Sequence, residues 1–113
     1  MVTPYPTTPG DVTGGVESAA CTLIDSLSKA TDEIQIHVVA PRYRSGSDIE
    51  HRSGVTIHWV KTVALPGVLR YWSFERQALH RCLEKINPAV THFQGAAGWA
   101  LGYSKPSVLT IHG

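Results

Sequence analysis

The run Ile34-Gln35-Ile36-His37-Val38-Val39-Ala40 does most to limit what this chain can become. It is β-branched, almost continuously apolar after its first residues, and closed by Pro41, which is the pattern of an interior strand covered on both faces. Strands of that kind belong to parallel sheets, whose crossovers supply the cover, so helices are required before and after it. From Gly15 to Ala30 apolar residues fall at Val16, Ala20, Leu23, Ile24 and Leu27, and Thr31-Asp32 breaks the spacing. A second helical pattern opens after Leu65-Pro66-Gly67. It carries Trp72, Ala78, Leu79, Cys82, Leu83 and Ile86 and stops at Asn87-Pro88.

The remaining strands are short. Met1-Val2-Thr3 reads as the end of a strand, because Pro4 and Pro6 forbid a ladder directly afterwards. Arg42 to Gly54 is polar and charged and reads as a surface loop, and Val55 to Val60 alternates like a third, more peripheral strand. Ala89 to Phe93 is the fourth strand, Gln94 to Gly98 a small-residue turn, Trp99 to Tyr103 a short helix, and Ser107 to Ile111 the last strand. The order predicts a single α/β domain over residues 1–113, with a Rossmann-like parallel sheet in the order 3-2-1-4-5 and helices on both faces. The first and fourth strands then meet at the switch point, and ligands bind beyond the carboxyl ends of strands there.

Composition narrows the function. The 113 residues are 42% hydrophobic, enough for a core without disulfide or metal support. Ten Lys and Arg face nine Asp and Glu, a balance that gives no field for a nucleic acid. Cys21 and Cys82 fall inside the two helical patterns with no metal-binding spacing, so both read as reduced, half-buried thiols. No basic leader precedes an apolar run, and no stretch nears the ~18 apolar residues of a membrane helix. The expectation is a cytoplasmic protein, with peripheral membrane contact left open.

Thr3 to Glu17 is a long, turn-rich loop that runs through Gly14-Gly15 into the first helix, and compact domains seldom spend so many residues on a connection that binds nothing. Gly15, Val16 and Glu17 would offer unpaired N–H groups and the positive helix end to a phosphate; the other reading is that Gly14-Gly15 only makes the turn. Neither the dinucleotide fingerprint nor the P-loop pattern is present. Glu17 suits a helix N-terminus electrostatically, which is a sufficient structural reason for it. His92-Phe93-Gln94-Gly95 and His112-Gly113 leave strands at the same crevice, whereas His37 and His58 lie within strands and read as packed residues. Tyr71, Trp72 and Phe74 read as core, and Arg70, Arg76 and Arg81 as a solvated helix face. No nucleophile paired with a base and no metal-ligand cluster can be assembled.

Pro4-Tyr5-Pro6, Gly14-Gly15-Val16-Glu17, Val38-Val39-Ala40-Pro41, Val90-Thr91-His92-Phe93-Gln94-Gly95 and Val108-Leu109-Thr110-Ile111-His112-Gly113, in that order, resemble the N-terminal domain of family 4 glycosyltransferases. The resemblance covers nearly the whole chain. It implies one half of a GT-B architecture, with the acceptor on this domain and the nucleotide sugar held mainly by a second, C-terminal domain. It further implies a retaining, metal-independent transfer from a nucleotide-sugar donor, without a cofactor, to a saccharide or lipid-linked acceptor. Gly14 and Gly15 would approach the donor diphosphate, His112 would sit near the transferred sugar as the catalytic residue, and Glu17, His92, Phe93, Gln94 and Gly95 would line the cleft. The family's longer first strand and second domain lie outside this sequence, so it reads as a fragment with little or no transferase activity alone. The competing reading is a free-standing Rossmann-type module that binds a phosphate or nucleotide without catalysis.

Overall fold

The computed structural model describes residues 1–43, 46–62, 74–95 and 97–112. In chain order the elements are α1 (Gly15–Ala30), β1 (His37–Arg42), β2 (Asp48–Arg52), β3 (Val55–Lys61), α2 (Phe74–Ile86), β4 (Thr91–Gln94), α3 (Ala97–Ala100) and β5 (Ser107–Thr110). One sheet holds β1, β3 and β2 in that order and the other pairs β4 with β5. Val2 forms parallel bridges to Val39 of β1 and Phe93 of β4, so the stub at the N-terminus stitches the two sheets together. Its amide donates to the His92 carbonyl at 2.7 Å, and Val39 N donates to Met1 O at 2.8 Å. Val2 and Thr3 are fully buried, as befits a central position.

The two faces carry separate cores because side chains alternate along a strand. Val38, Ala40, Ile57 and Trp59 cluster with Ile24 of α1. Val39, Val60 and Phe93 turn the other way and cluster with Leu79 and Leu83 of α2 and Trp99 of α3. Each fully buried leucine there contributes about 1.5–3 kcal/mol relative to an exposed one. Cys21 and Cys82 are free and half-buried. The α2 helix stops where the sequence says it must: Asn87 takes a left-handed φ of 51° and donates back to Leu83 O at 2.8 Å, and Pro88 follows.

The chain is therefore a mixed α/β domain, but its sheet is not uniformly parallel. Residues 48–52, expected in a loop, form β2, which pairs antiparallel with β3. The connection is a two-residue hairpin, Ser53-Gly54, with φ of 51° and 77°, the positive pair that matches the twist of a tight hairpin. The strand was hidden because it is an edge: its half-covered face carries Glu50 and Arg52 and its other face is exposed, so no apolar alternation marks it. β1 also runs past Pro41 to Arg42. Val39 N donates to Met1 O and Thr3 N to Val39 O, so the donor that Pro41 lacks falls opposite Thr3, the last residue of the stub, where the ladder ends in any case. Phe74 is 71% exposed and not core; Leu65 to Gly67, Arg70, Tyr71 and Trp72 lie outside the described residues.

Candidate functional site

At the carboxyl ends of the parallel strands, the end of β4 meets the N-terminus of α1, with the stub and β5 on either side of it. Gln94 N donates to Val2 O at 2.9 Å and Gly95 N to Thr110 O at 3.1 Å, so the end of β4 is tied to the stub on one side and to β5 on the other. Gly95 has φ +87°, and a Cβ built there would lie 2.5 Å from Cγ1 of Val16. Only a glycine lets the strand end close onto the first turn of α1 at this distance.

Gly14 caps α1 in an extended conformation, with no side chain capping it, and its carbonyl accepts from Ser18 N at 3.0 Å. Both Gly14 and Gly15 are exposed, and a Cβ on either would meet nothing within 4 Å. The first-turn amides of Gly15, Val16 and Glu17 have no intrahelical acceptor and carry the positive end of a 16-residue helix. Glu17 does not reach out into this space: its Oε2 accepts from Thr13 N at 2.9 Å and Thr13 Oγ1 at 3.0 Å, closing the chain onto the helix start.

The loop before the helix is held at its base by Arg52, which the sequence pattern places in a surface loop and the structure places in β2. Its Nη1 donates to Pro6 O at 2.9 Å and its Nη2 to Thr7 O at 3.1 Å, while its guanidinium lies 5.7 Å from the Tyr5 ring centroid. Tyr5 in turn packs against Trp59, with centroids 6.5 Å apart. The β2–β3 hairpin thus fixes where the loop leaves the sheet, and the Ser-Gly turn followed by Val55-Thr56-Ile57 was the signal that could have revealed it.

The histidines separate. His92 sits inside β4, two residues before its end, and Nε2 lies 2.7 Å from Thr110 Oγ1. Desolvation lowers its pKa from the ordinary value, with smaller contributions from the Met1 ammonium and His112. It also borders an apolar cavity with Met1, Leu27 and Val90 toward the opposite end of the sheet. Phe93 is fully buried and packs edge-on against Tyr103, with centroids 5.2 Å apart, so it belongs to the α2-side core. Gln94 differs from both: it is 3% exposed, and its Oε1 has no partner among the described residues. An acceptor left so costs about 1–3 kcal/mol. His112 is exposed just beyond β5. The rim therefore gathers Gly14, Gly15, Gln94 and Gly95, with His112 beside Thr110; His92 and Phe93 serve the sheet.

The family model described as Glycosyltransferase Family 4 matches residues 13–113, from just before the Gly14-Gly15 cap to beyond β5. The chain belongs to glycosyltransferase family 4. No curated protein and no solved structure matches it. Within this family 4 domain the matched region includes every rim segment except the stub and the loop that Arg52 clamps. Among the described residues no group of three or more His, Cys, Asp or Glu is placed to hold a metal ion, and no helix is long and apolar enough to cross a membrane.

Proposed function

We propose that this domain is the acceptor-side, N-terminal half of a retaining GT-B transferase, a Rossmann-like unit that works with a second domain holding the nucleotide sugar. The observation that carries the reading is the contact of Gly95 with Val16, which sets the end of β4 against the start of α1 at the carboxyl edge of the parallel strands. Helix-end amides there suit a leaving diphosphate, whose charge grows as the glycosidic bond breaks, so they stabilise the transition state more than the ground state. The open space over Gly14 and Gly15 lets that group approach the backbone. The buried Oε1 of Gln94 suits a donor such as a sugar hydroxyl, and His112 stands beside the transferred sugar. Donor and acceptor are a nucleotide sugar and a saccharide or lipid-linked acceptor, no cofactor or metal takes part, and the work is done in the cytoplasm or at a membrane surface facing it.

Two measurements test this. Gly15→Trp in a transferase that joins this domain to its donor-binding domain lowers kcat/KM at least about 100-fold, the scale of losing one preorganised donor, while the 113-residue chain carrying the same change keeps its stability. Calorimetry with a nucleoside diphosphate shows weak binding to the chain alone that strengthens when the second domain is present. Full activity of the Trp variant, or equally tight binding by the chain alone, overturns the reading and leaves a free-standing binding module.

A further inference from the structure

A further cavity, lined by apolar and charged side chains alike, lies away from that rim, between α2 and the β3–β2 side of the sheet. It has a volume of about 870 Å³. His37 and His58 line it from neighbouring parallel strands, with Nδ1 of the first 2.9 Å from Nε2 of the second and ring centroids 5.1 Å apart. Lys61 from β3 and Arg81 and Lys85 from α2 line the same space, against the single carboxylate of Asp48. That carboxylate accepts from the Ile49 amide at 2.8 Å, and none of the three cations has an ion-pair partner among the described residues. Three cations without an ion-pair partner among the described residues thus stand beside the two imidazoles, a local excess of positive charge in a chain whose formal net charge is only +1.

We propose that this groove binds a phosphate or diphosphate group, with Arg81 and Lys85 supplying charge and the His37–His58 pair supplying a switchable N–H donor. One imidazole donates to the other when the pair is neutral, so a proton taken by the pair releases a further N–H toward the groove. Arg offers a planar fork for such an anion and Lys a point charge. The groups that face the pair or act on it are Lys61, Arg81, Lys85, Cys82 and Asp48 in the groove, His51 beside His58, and the Met1 ammonium near His37. Desolvation lowers the pKa of both imidazoles, so anion binding, which favours the charged ring, takes up a proton and tightens as pH falls. This site is independent of the transferase rim, and its ligand group can belong to a soluble metabolite or to a lipid headgroup.

The test is titration of the 113-residue chain with inorganic pyrophosphate, followed by NMR at the His37 and His58 C2 protons and, separately, at the Gly14 and Gly15 amides. Saturable shifts at the two histidines are expected, with affinity rising between pH 7.5 and 5.5. Arg81→Gln with Lys85→Gln, both on the exposed side of α2, weakens it about tenfold or more, the scale of removing charge-assisted contacts, while circular dichroism stays unchanged. Vesicles of phosphatidylcholine with one-third phosphatidylglycerol form a parallel arm: histidine shifts with vesicles identify a headgroup, and shifts with pyrophosphate alone identify a soluble ligand, both within the proposal. Absence of saturable histidine shifts in either arm, or an affinity that the double variant leaves unchanged, overturns it. Shifts confined to Gly14 and Gly15 overturn it too while sparing the transferase reading.

Discussion

Replacing Gly95 by alanine probes the junction on which the rim depends. The backbone there has φ +87°, where an L side chain is strained by about 1–2 kcal/mol, and the new Cβ would sit 2.5 Å from Cγ1 and 3.2 Å from Cγ2 of Val16. Val16 is β-branched and stands in a helix, so one rotamer dominates and the clash cannot be relieved by turning χ1. Overpacking of this kind costs about 1–3 kcal/mol. Gly95→Ala should therefore destabilise the chain by about 2–5 kcal/mol in urea unfolding, at unchanged m. Val16→Ala removes both methyl groups, so in that background Gly95→Ala should cost only the backbone part, and the double-mutant cycle should show about 1–3 kcal/mol of favourable coupling. A cost below about 0.5 kcal/mol in the parent chain, or the same cost in both backgrounds, would refute the claim that β4 closes onto α1 here.

Three further outcomes follow from the same contacts. Glu17→Ala removes the acceptor of both Thr13 donors and should cost about 1 kcal/mol, read as a shift in the urea midpoint. Glu75, 1% exposed, accepts from Trp99 Nε1 at 2.8 Å; Glu75→Ala should cost about 1–3 kcal/mol by stranding that donor, whereas Glu75→Gln, which keeps an acceptor, should cost distinctly less in the same assay. His37, His58 and His92 all have folded-state pKa values lowered from 6.5, chiefly by desolvation. As pH falls through 6.5 the unfolded chain takes up protons first, so thermal stability should decline there and level off below the folded-state values. His58→Gln should flatten that decline, and an unaltered profile would remove His58 from the account.

Much of the architecture was legible because burial imposes a period. The α1 bounds, Gly15–Ala30, follow from apolar spacing, and the end of α2 from Asn87-Pro88. The stub Met1-Val2-Thr3 was recognisable from the prolines after it. β2 was not, since an exposed edge strand has no apolar face to display, and with it went Arg52, whose guanidinium fixes the loop from the far side of a hairpin. In the site, Gly14-Gly15 was visible as a helix start. His92 and Gln94 lie two residues apart on one face of β4, and that the first pairs with Thr110 while the second keeps an unmet acceptor depends on what tertiary packing places beside each, which no local pattern displays.

The sequence by itself determined which segments are helix and interior strand, that they alternate as α/β, and that a paired-glycine helix start follows a long proline-rich loop, because these are local consequences of periodicity, proline and glycine. Tertiary structure alone decided that Gly95 presses on Val16, that an edge hairpin clamps the loop, and that His37 and His58 meet in a cationic groove. Those contacts join residues 79, 46 and 21 positions apart, and separations of that kind are set by strand register and crossover path, which no local pattern encodes.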